Sequence, residues 1–275
     1  MMIQGRFKLQ GTLAIIGGGR MGEAILTGLL AAKAVEPAHV IVAEPVAERR
    51  TTLDAAHGVR TTDSAAEAAT SGDVVILAVK PQVLEEVLGE LADQVGDALV
   101  ISIAAGMTSA RIETALPEGT AVVRVMPNTP AMVGEGMSVV SGGRAATAEE
   151  VDLARELMAL LGMAIVLPEE QQDIATAISG SGPAYVALFV EALARAGAAE
   201  GLSREDAYTL ALQTVKGTAA LLEESGMHPE ELVEAVSSPG GTTVAAVAGL
   251  EAHGFSQTMS AAVSAAVERA RELGA

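Results

Sequence analysis

Short runs of β-branched and aliphatic residues alternate with amphipathic stretches through roughly the first 167 positions, and then the short runs stop. The runs at 13–16, 40–43, 59–61, 74–79, 98–103 and 121–125 read as strands, with later ones at 137–140 and 164–167. Between them lie helical patterns at 21–33, 47–57, 64–70, 83–94, 109–116 and 149–161. Residues 74–79 are continuously apolar, as expected of a strand buried on both faces. Strands alternating with helices predict an α/β fold built on a mainly parallel, doubly wound sheet. From about residue 168 the pattern is helical throughout: 172–199, broken or kinked around Gly180–Pro183, then 204–225, 229–236, 243–252 and 256–273. Pro183 is suited to open a helix. The expected organisation is an α/β domain over 1–168 and an all-α domain over 169–275.

Composition narrows the function classes. Half of the 275 residues are hydrophobic, but aromatics make up only 2%. Helices rich in Ala and Gly bury little area per residue, so oligomerisation is a plausible source of further burial. The formal charge of −18, from 35 acids against 17 basic residues, leaves no basic footprint for nucleic acid or for an anionic membrane. An anionic ligand must therefore be held by local positive features. Zero cysteines exclude disulfides, thiolate catalysis and Cys-ligated metals. No run of about 18 uninterrupted apolar residues appears, and no membrane span is expected. Residues 1–11 read as a short extension or an early strand residue rather than a signal peptide, and the expected location is cytoplasmic.

The chemistry starts at Gly17-Gly18-Gly19-Arg20-Met21-Gly22. It matches G-x-G-x-x-G, with Gly17, Gly19 and Gly22 in the three slots, and it follows a predicted strand and opens a predicted helix. A tight turn, a close backbone approach to a pyrophosphate and close helix–sheet packing all require glycine there, so this segment is expected to bind a dinucleotide. Glu44 ends the second strand, where a carboxylate can hydrogen-bond the adenosine ribose hydroxyls and repels a 2′-phosphate. Arg49 and Arg50 lie just beyond and would attract that phosphate, although their helix makes a solvated face the favoured reading. NAD and NADP both stay open. Three further strand ends face the same cleft: Val79-Lys80-Pro81; Ala104-Ala105-Gly106, whose small residues leave room for a flat ring; and Met126-Pro127-Asn128-Thr129-Pro130, where Asn128 and Thr129 offer polar edges. Lys80 reads equally as a cofactor contact or a strand-end shield.

In the helical half, Ser237-Ser238-Pro239-Gly240-Gly241-Thr242-Thr243 opens a helix. Converging backbone N–H groups and two hydroxyls suit a small carboxylate, while a flexible loop with an ordinary cap is the plainer alternative. The four histidines lie at element ends with no metal-pair spacing, and no metal is expected. Glu223, Glu224, Glu230, Glu231 and Glu234 read as solvated helix faces, and Met158, Met163 and the other methionines as core.

Taken in order, Gly17–Gly22, Val79–Pro81, Ala104–Gly106, Arg124–Pro130, Ser179-Gly180-Ser181-Gly182-Pro183-Ala184-Tyr185 and Ser237–Thr243 resemble the pyrroline-5-carboxylate reductase family over about residues 12–273. The resemblance implies a Rossmann-like N-terminal domain and an all-α C-terminal dimerisation domain, giving a homodimer that often assembles further, for example into a decamer. It implies hydride transfer from NADP(H) or NAD(H) to the C=N bond of 1-pyrroline-5-carboxylate, forming L-proline. Arg20 and Met21 join the glycines as cofactor contacts, and Ser64 stands where the family often has a ribose-contacting Asn. Substrate would sit on Ser238, Gly240, Gly241, Thr242 and Thr243, with Thr243 at the ring nitrogen and Thr242 in a more variable slot. A packing role is expected for Gly180-Ser181-Gly182. Two rivals remain. A 3-hydroxyacid dehydrogenase of the 6-phosphogluconate-dehydrogenase type wants a Lys shortly after a Gly-Ser-Gly helix start, yet Pro183, Ala184, Tyr185 and Val186 follow here and the next Lys is Lys216. A non-catalytic dinucleotide-binding protein has no use for the Ser237–Thr243 run.

Overall fold

The computed structural model describes residues 8–274. The chain order is β1 (Leu13–Ile16), α1 (Arg20–Ala31), β2 (Val40–Ala43), α2 (Ala47–His57), β3 (Arg60–Thr62), α3 (Ala65–Ser71), β4 (Val74–Leu77) and α4 (Pro81–Leu91). It continues with β5 (Leu99–Ser102), α5 (Ser109–Ala115), β6 (Val122–Met126), β7 (Gly136–Gly142), α6 (Ala148–Ala159) and β8 (Gly162–Val166). Helices follow: α7 (Gln172–Ala175), α8 (Gly182–Ala199), α9 (Arg204–Ser225), α10 (Pro229–Ala235), α11 (Thr242–Ala252) and α12 (Phe255–Gly274). Lys8–Gly11 form no strand, and the rest of the N-terminal segment, 1–7, lies outside the described residues.

The strands form one eight-stranded sheet in the order β3-β2-β1-β4-β5-β6-β7-β8. All pairs are parallel except β6 with β7. Because side chains alternate along a strand, Leu13 and Ile15 enter one apolar cluster and Ala14 and Ile16 the other, with helices covering both faces. Because β1–β6 run parallel, their carboxyl ends share one edge, and the reversal of strand order between β1 and β4 opens the usual ligand crevice there.

Met163 departs from expectation. It is 62% exposed, and Met132 is exposed as well, whereas Met158 is buried. β8 is the last strand of the sheet; Ala164 points at the core cluster, and the period of two turns Met163 and Ile165 to the opposite, exposed face. The expected kink near Gly180 is a π turn, Thr176–Gly180, in which Ser181 N–H donates to Thr176 O at 2.9 Å. Pro183 is the second residue of α8, where its missing N–H costs no helix bond.

The chain divides into two compact units, one reaching Ser181 and including the segment from Ala266 onward, the other Gly182–Ala265. In the second, the buried apolar cluster is small: Val190, Ala194, Ala207 and Ala211. Leu188, Phe189, Tyr208, Leu210 and Leu250 are exposed, far more apolar surface than a self-sufficient helical unit leaves in water.

Candidate active site

The glycine turn after β1 shows what each fingerprint position does. Gly17 has φ +111°, and a Cβ there would lie 2.6 Å from Ala78 O. At Gly22 a Cβ would fall 2.1 Å from Gly17 O, so only glycine lets α1 pack this close to the turn. Gly19 differs: nothing lies within 4 Å of its Cβ position, and it caps α1 without a side chain. A turn glycine, an open glycine at the helix start and a packing glycine, in that order, fit a pyrophosphate on the N-terminus of α1. Arg20 and Met21 are the first residues of that helix.

Glu44 follows β2 with its carboxylate fixed by the backbone. Gly18 N–H donates to Oε2 at 3.1 Å and Val46 N–H to Oε1 at 3.0 Å. The expected solvated face for Arg49 and Arg50 is corrected. Arg49 Nε donates to Gly18 O at 2.7 Å and its NH2 to Glu23 Oε2 at 2.6 Å. Arg50 NH1 donates to Glu44 O at 2.7 Å and Pro45 O at 2.8 Å, and its NH2 lies 3.5 Å from Asp63 Oδ2. Both arginines fold back because the glycine turn and the β2 end present bare carbonyls that need donors. His57 Nε2 lies 3.2 Å from Glu23 Oε1. The hydrogen bond from Arg49 holds the Glu23 carboxyl below the usual glutamate range, against the opposing effect of burial. Ser64 caps α3, accepting from Glu67 N–H at 3.1 Å.

Along the same edge, Val79 is half-buried and Lys80 exposed, with Pro81 the first residue of α4. Ala104 is buried, Ala105 half-buried, and Gly106 adopts φ +75° with a Cβ position 2.9 Å from Leu273 O of α12. Thr129 is exposed. Asn128 uses both ends of its amide internally: Nδ2 donates to Ser179 O at 2.9 Å, and Oδ1 accepts from Met137 N–H at 2.8 Å. It pins the β6 end to the π turn and to β7. Gly180 packs at this point, with a Cβ position 3.2 Å from Thr176 Cγ2 and 3.4 Å from Met126 Cε.

Beneath lies a group that sequence reasoning quoted without giving it a role. Arg124 on β6 is only 5% exposed. Its NH1 donates to Glu169 Oε1 at 3.3 Å, and its NH2 lies 3.6 Å from Asp173 Oδ1. Glu169 also accepts from Ser109 N–H at 2.8 Å and from the Ser109 hydroxyl. Gln172, fully buried, donates to Val139 O at 3.1 Å and Ser141 Oγ at 2.9 Å. An arginine flanked on both sides by valines inside an apolar strand was the available signal, since a buried guanidinium demands an anion.

In the second unit, Gly241 N–H donates to Ser238 O at 2.9 Å, closing a turn with Pro239 next and Gly240 at φ +72°. Gly241 caps α11, and a Cβ there would fall 2.5 Å from Ser238 Oγ. The first bond of the helix ladder runs from Ala245 N–H to Gly241 O at 3.5 Å, leaving the N–H groups of Thr242, Thr243 and Val244 ahead of it. Thr243 is half-buried and Thr242 exposed. The five glutamates Glu223, Glu224, Glu230, Glu231 and Glu234 are exposed; Glu231 Oε2 accepts from His228 N–H at 3.0 Å. His253 closes α11.

A doubly wound sheet with this glycine turn and acidic β2 end, followed by an all-α unit, defines a Rossmann-type, NAD(P)-dependent oxidoreductase with a helical C-terminal half. Two family models match. Residues 12–106 fit the one described as NADP oxidoreductase, coenzyme F420-dependent, and residues 169–273 fit pyrroline-5-carboxylate reductase dimerisation. The pyrroline-5-carboxylate reductase of Synechocystis sp. is 47% identical over 262 residues, covering 95% of this chain and 98% of that one. Among solved structures, the pyrroline-5-carboxylate reductase of Coxiella burnetii superposes with a TM-score of 0.92 at 36% identity, over 97% of this chain and 100% of that one. The pyrroline carboxylate reductase of Plasmodium falciparum, with NADP bound, gives 0.87 at 32% identity, over 98% and 100%. The chain belongs to the pyrroline-5-carboxylate reductase family, and it carries that family's dimerisation domain.

Proposed function

We propose that this chain reduces the C=N bond of 1-pyrroline-5-carboxylate to give L-proline, the last step of proline biosynthesis, with NADPH or NADH as reductant. The carrying observation is the 47% identity with a pyrroline-5-carboxylate reductase along 95% of the chain. The first unit holds the dinucleotide: Gly17, Gly19, Arg20, Met21 and Gly22 at the pyrophosphate, Glu44 and Ser64 toward the adenosine ribose. Val79, Lys80, Pro81, Ala104, Ala105, Gly106 and Thr129 line the rest of the crevice. Asn128 braces the wall with one N–H and one lone pair of its amide, which leaves the second N–H and lone pair for the cofactor. When bound, the dinucleotide supplies the hydride.

The chain's own part is to place the imine and to pass a proton from solvent to its nitrogen. Backbone N–H groups at Ser238–Gly241 and at the start of α11 take the substrate carboxylate, with Ser238 Oγ assisting. Gly240 and Gly241 admit the backbone approach that a Cβ would block. Thr243 Oγ holds the ring nitrogen and so fixes the orientation in which the imine would take a hydride. A threonine hydroxyl is a poor acid near neutral pH, so Thr243 orients and relays a proton rather than acting through a tuned pKa. Its half-buried position, beside exposed Thr242, supports giving this role to Thr243.

The functional assembly is a homodimer formed through residues 169–273, and stacking of such dimers gives the decamer. The exposed apolar side chains of α8 and α9 support the dimer. The stretch Glu169–Ala199 is long and apolar enough to cross a membrane, yet it lies within the matched dimerisation segment, and we assign its apolar faces to subunit contact. We place the enzyme in the cytoplasm with no metal requirement, and set the domain boundary near residue 168. The test follows NADH and NADPH oxidation with 1-pyrroline-5-carboxylate for wild type and Thr243→Ala. Turnover by wild type and a loss of about 100-fold or more in kcat/KM for the variant are expected. No turnover with either cofactor overturns the reaction, and an unaffected variant overturns the Thr243 role.

A further inference from the structure

The β2 end carries an arrangement that bears on which dinucleotide the first unit takes. We infer that Glu44, its carboxylate locked by two backbone N–H groups while both neighbouring arginines are engaged elsewhere, selects NAD(H) over NADP(H). The inference rests on the proposed dinucleotide site and gives that site its specificity.

Each Glu44 oxygen accepts one backbone bond, from Gly18 or Val46, and keeps a further lone pair. Those lone pairs suit hydroxyl donors, which the adenosine ribose of NAD(H) offers as a neighbouring pair. A 2′-phosphate offers only acceptor oxygens and a charge of about −1.5 to −2, so it meets the carboxylate acceptor to acceptor and charge to charge. The two backbone bonds hold the Glu44 carboxylate at this rim. Gly18 sits close enough that a Cβ there would lie 3.2 Å from Glu44 Cβ, and the Gly18 peptide is held on both sides, its N–H by Glu44 and its carbonyl by Arg49.

A site for the 2′-phosphate needs a cation turned toward it. Arg49 bonds Gly18 O and Glu23, and Arg50 bonds the carbonyls of Glu44 and Pro45 and faces Asp63. Arg60 opens β3 and so stands at the opposite end of the strands from the ligand edge. Asp63, just past β3, adds a second carboxylate to the rim. The Plasmodium falciparum relative holds NADP; the preference inferred for this chain comes from its own Glu44 and from the internal pairing of its arginines.

Isothermal titration of NADH and NADPH into the substrate-free protein tests this without turnover. Wild type is expected to bind NADH at least tenfold more tightly than NADPH. In Glu44→Ser and in Glu44→Gln, which keeps the side-chain volume, that ratio is expected to fall at least tenfold. Equal or tighter binding of NADPH by wild type, or an unchanged ratio in both variants, overturns the inference. A protein that prefers NADH by titration but does not reduce the imine sinks the proposed reaction and leaves the Glu44 assignment standing; an active enzyme preferring NADPH does the reverse.

Discussion

Replacing Asn128 by Ala separates a bracing residue from a ligand contact. The substitution removes the bonds to Ser179 O (2.9 Å) and from Met137 N–H (2.8 Å) and leaves a carbonyl and an amide without partners in a half-buried place. A neutral bond is worth about 1 kcal/mol net, and a partner orphaned out of water's reach costs about 1–3 kcal/mol instead, so in a half-buried place each of the two losses is about 1–2 kcal/mol. The loss is then roughly 2–4 kcal/mol. In a compact unit of about 190 residues, a destabilisation of 1 kcal/mol lowers Tm by about 2–4 °C, so a fall of roughly 4–16 °C is expected. Asn128→Asp is no rescue: it keeps the acceptor for Met137 but sets a carboxylate oxygen against the Ser179 carbonyl. The assay is calorimetric unfolding without cofactor, at one protomer concentration because association shifts Tm. A Tm within about 2 °C of wild type, together with lost dinucleotide affinity, would refute the bracing role and make the amide a cofactor contact.

Two glycines of one motif should respond in opposite ways. Gly22→Ala drives a Cβ to 2.1 Å from a backbone carbonyl and is expected to cost at least about 2 kcal/mol in urea unfolding, whereas Gly19→Ala meets nothing within 4 Å and should stay within about 0.5 kcal/mol while weakening dinucleotide binding at least tenfold. Equal stability losses would contradict the division of roles. The Glu23–Arg49 pair gives a pH prediction. Its folded-state carboxyl titrates below the unfolded one, so its contribution is complete above the usual glutamate range and disappears as the pH falls through and below that range. Both side chains are about a third exposed, which limits the effect to roughly 1 kcal/mol or less. Glu23→Gln should therefore differ from wild type in urea midpoint at pH 7 and converge with it under acid; a gap that widens in acid would count against the pair.

What the sequence disclosed follows the range of the interactions involved. β1 and β2 are legible to the residue because short aliphatic runs buried on both faces have sharp ends. The run at 74–79 ends two residues early, at Leu77, because Ala78 lies against the Gly17 turn, a contact between segments some 60 positions apart. The strand at 137–140 grows to Gly136–Gly142 by antiparallel pairing with β6 at its far end and parallel pairing of Gly136 with Gly162 of β8, which no local pattern encodes. The same holds at the site. The glycine spacing and the Ser237–Thr243 run are local and readable. The bond from Arg49 to Gly18 spans 31 positions, that from Arg124 to Glu169 spans 45, and that from Asn128 to Ser179 spans 51.

Those long-range pairings change how a chain with a formal charge of −18 handles anions. Arg49, Arg50 and Arg124 sit near the expected ligand edge or beneath it, and each is bonded to the protein's own carboxylates or carbonyls. Their charge rigidifies the turn, the β2 end and the stretch leading into the π turn, and it is not offered outward. Backbone also stays open beside the exposed Arg20 and Lys80: the N–H groups at the start of α1 beside Gly19, and in the second unit those at the start of α11 beside Gly241. Oriented N–H dipoles bind a diester pyrophosphate or a small carboxylate well. A 2′-phosphate calls for a guanidinium turned toward it, and the two beside Glu44, those of Arg49 and Arg50, are bonded to the protein itself.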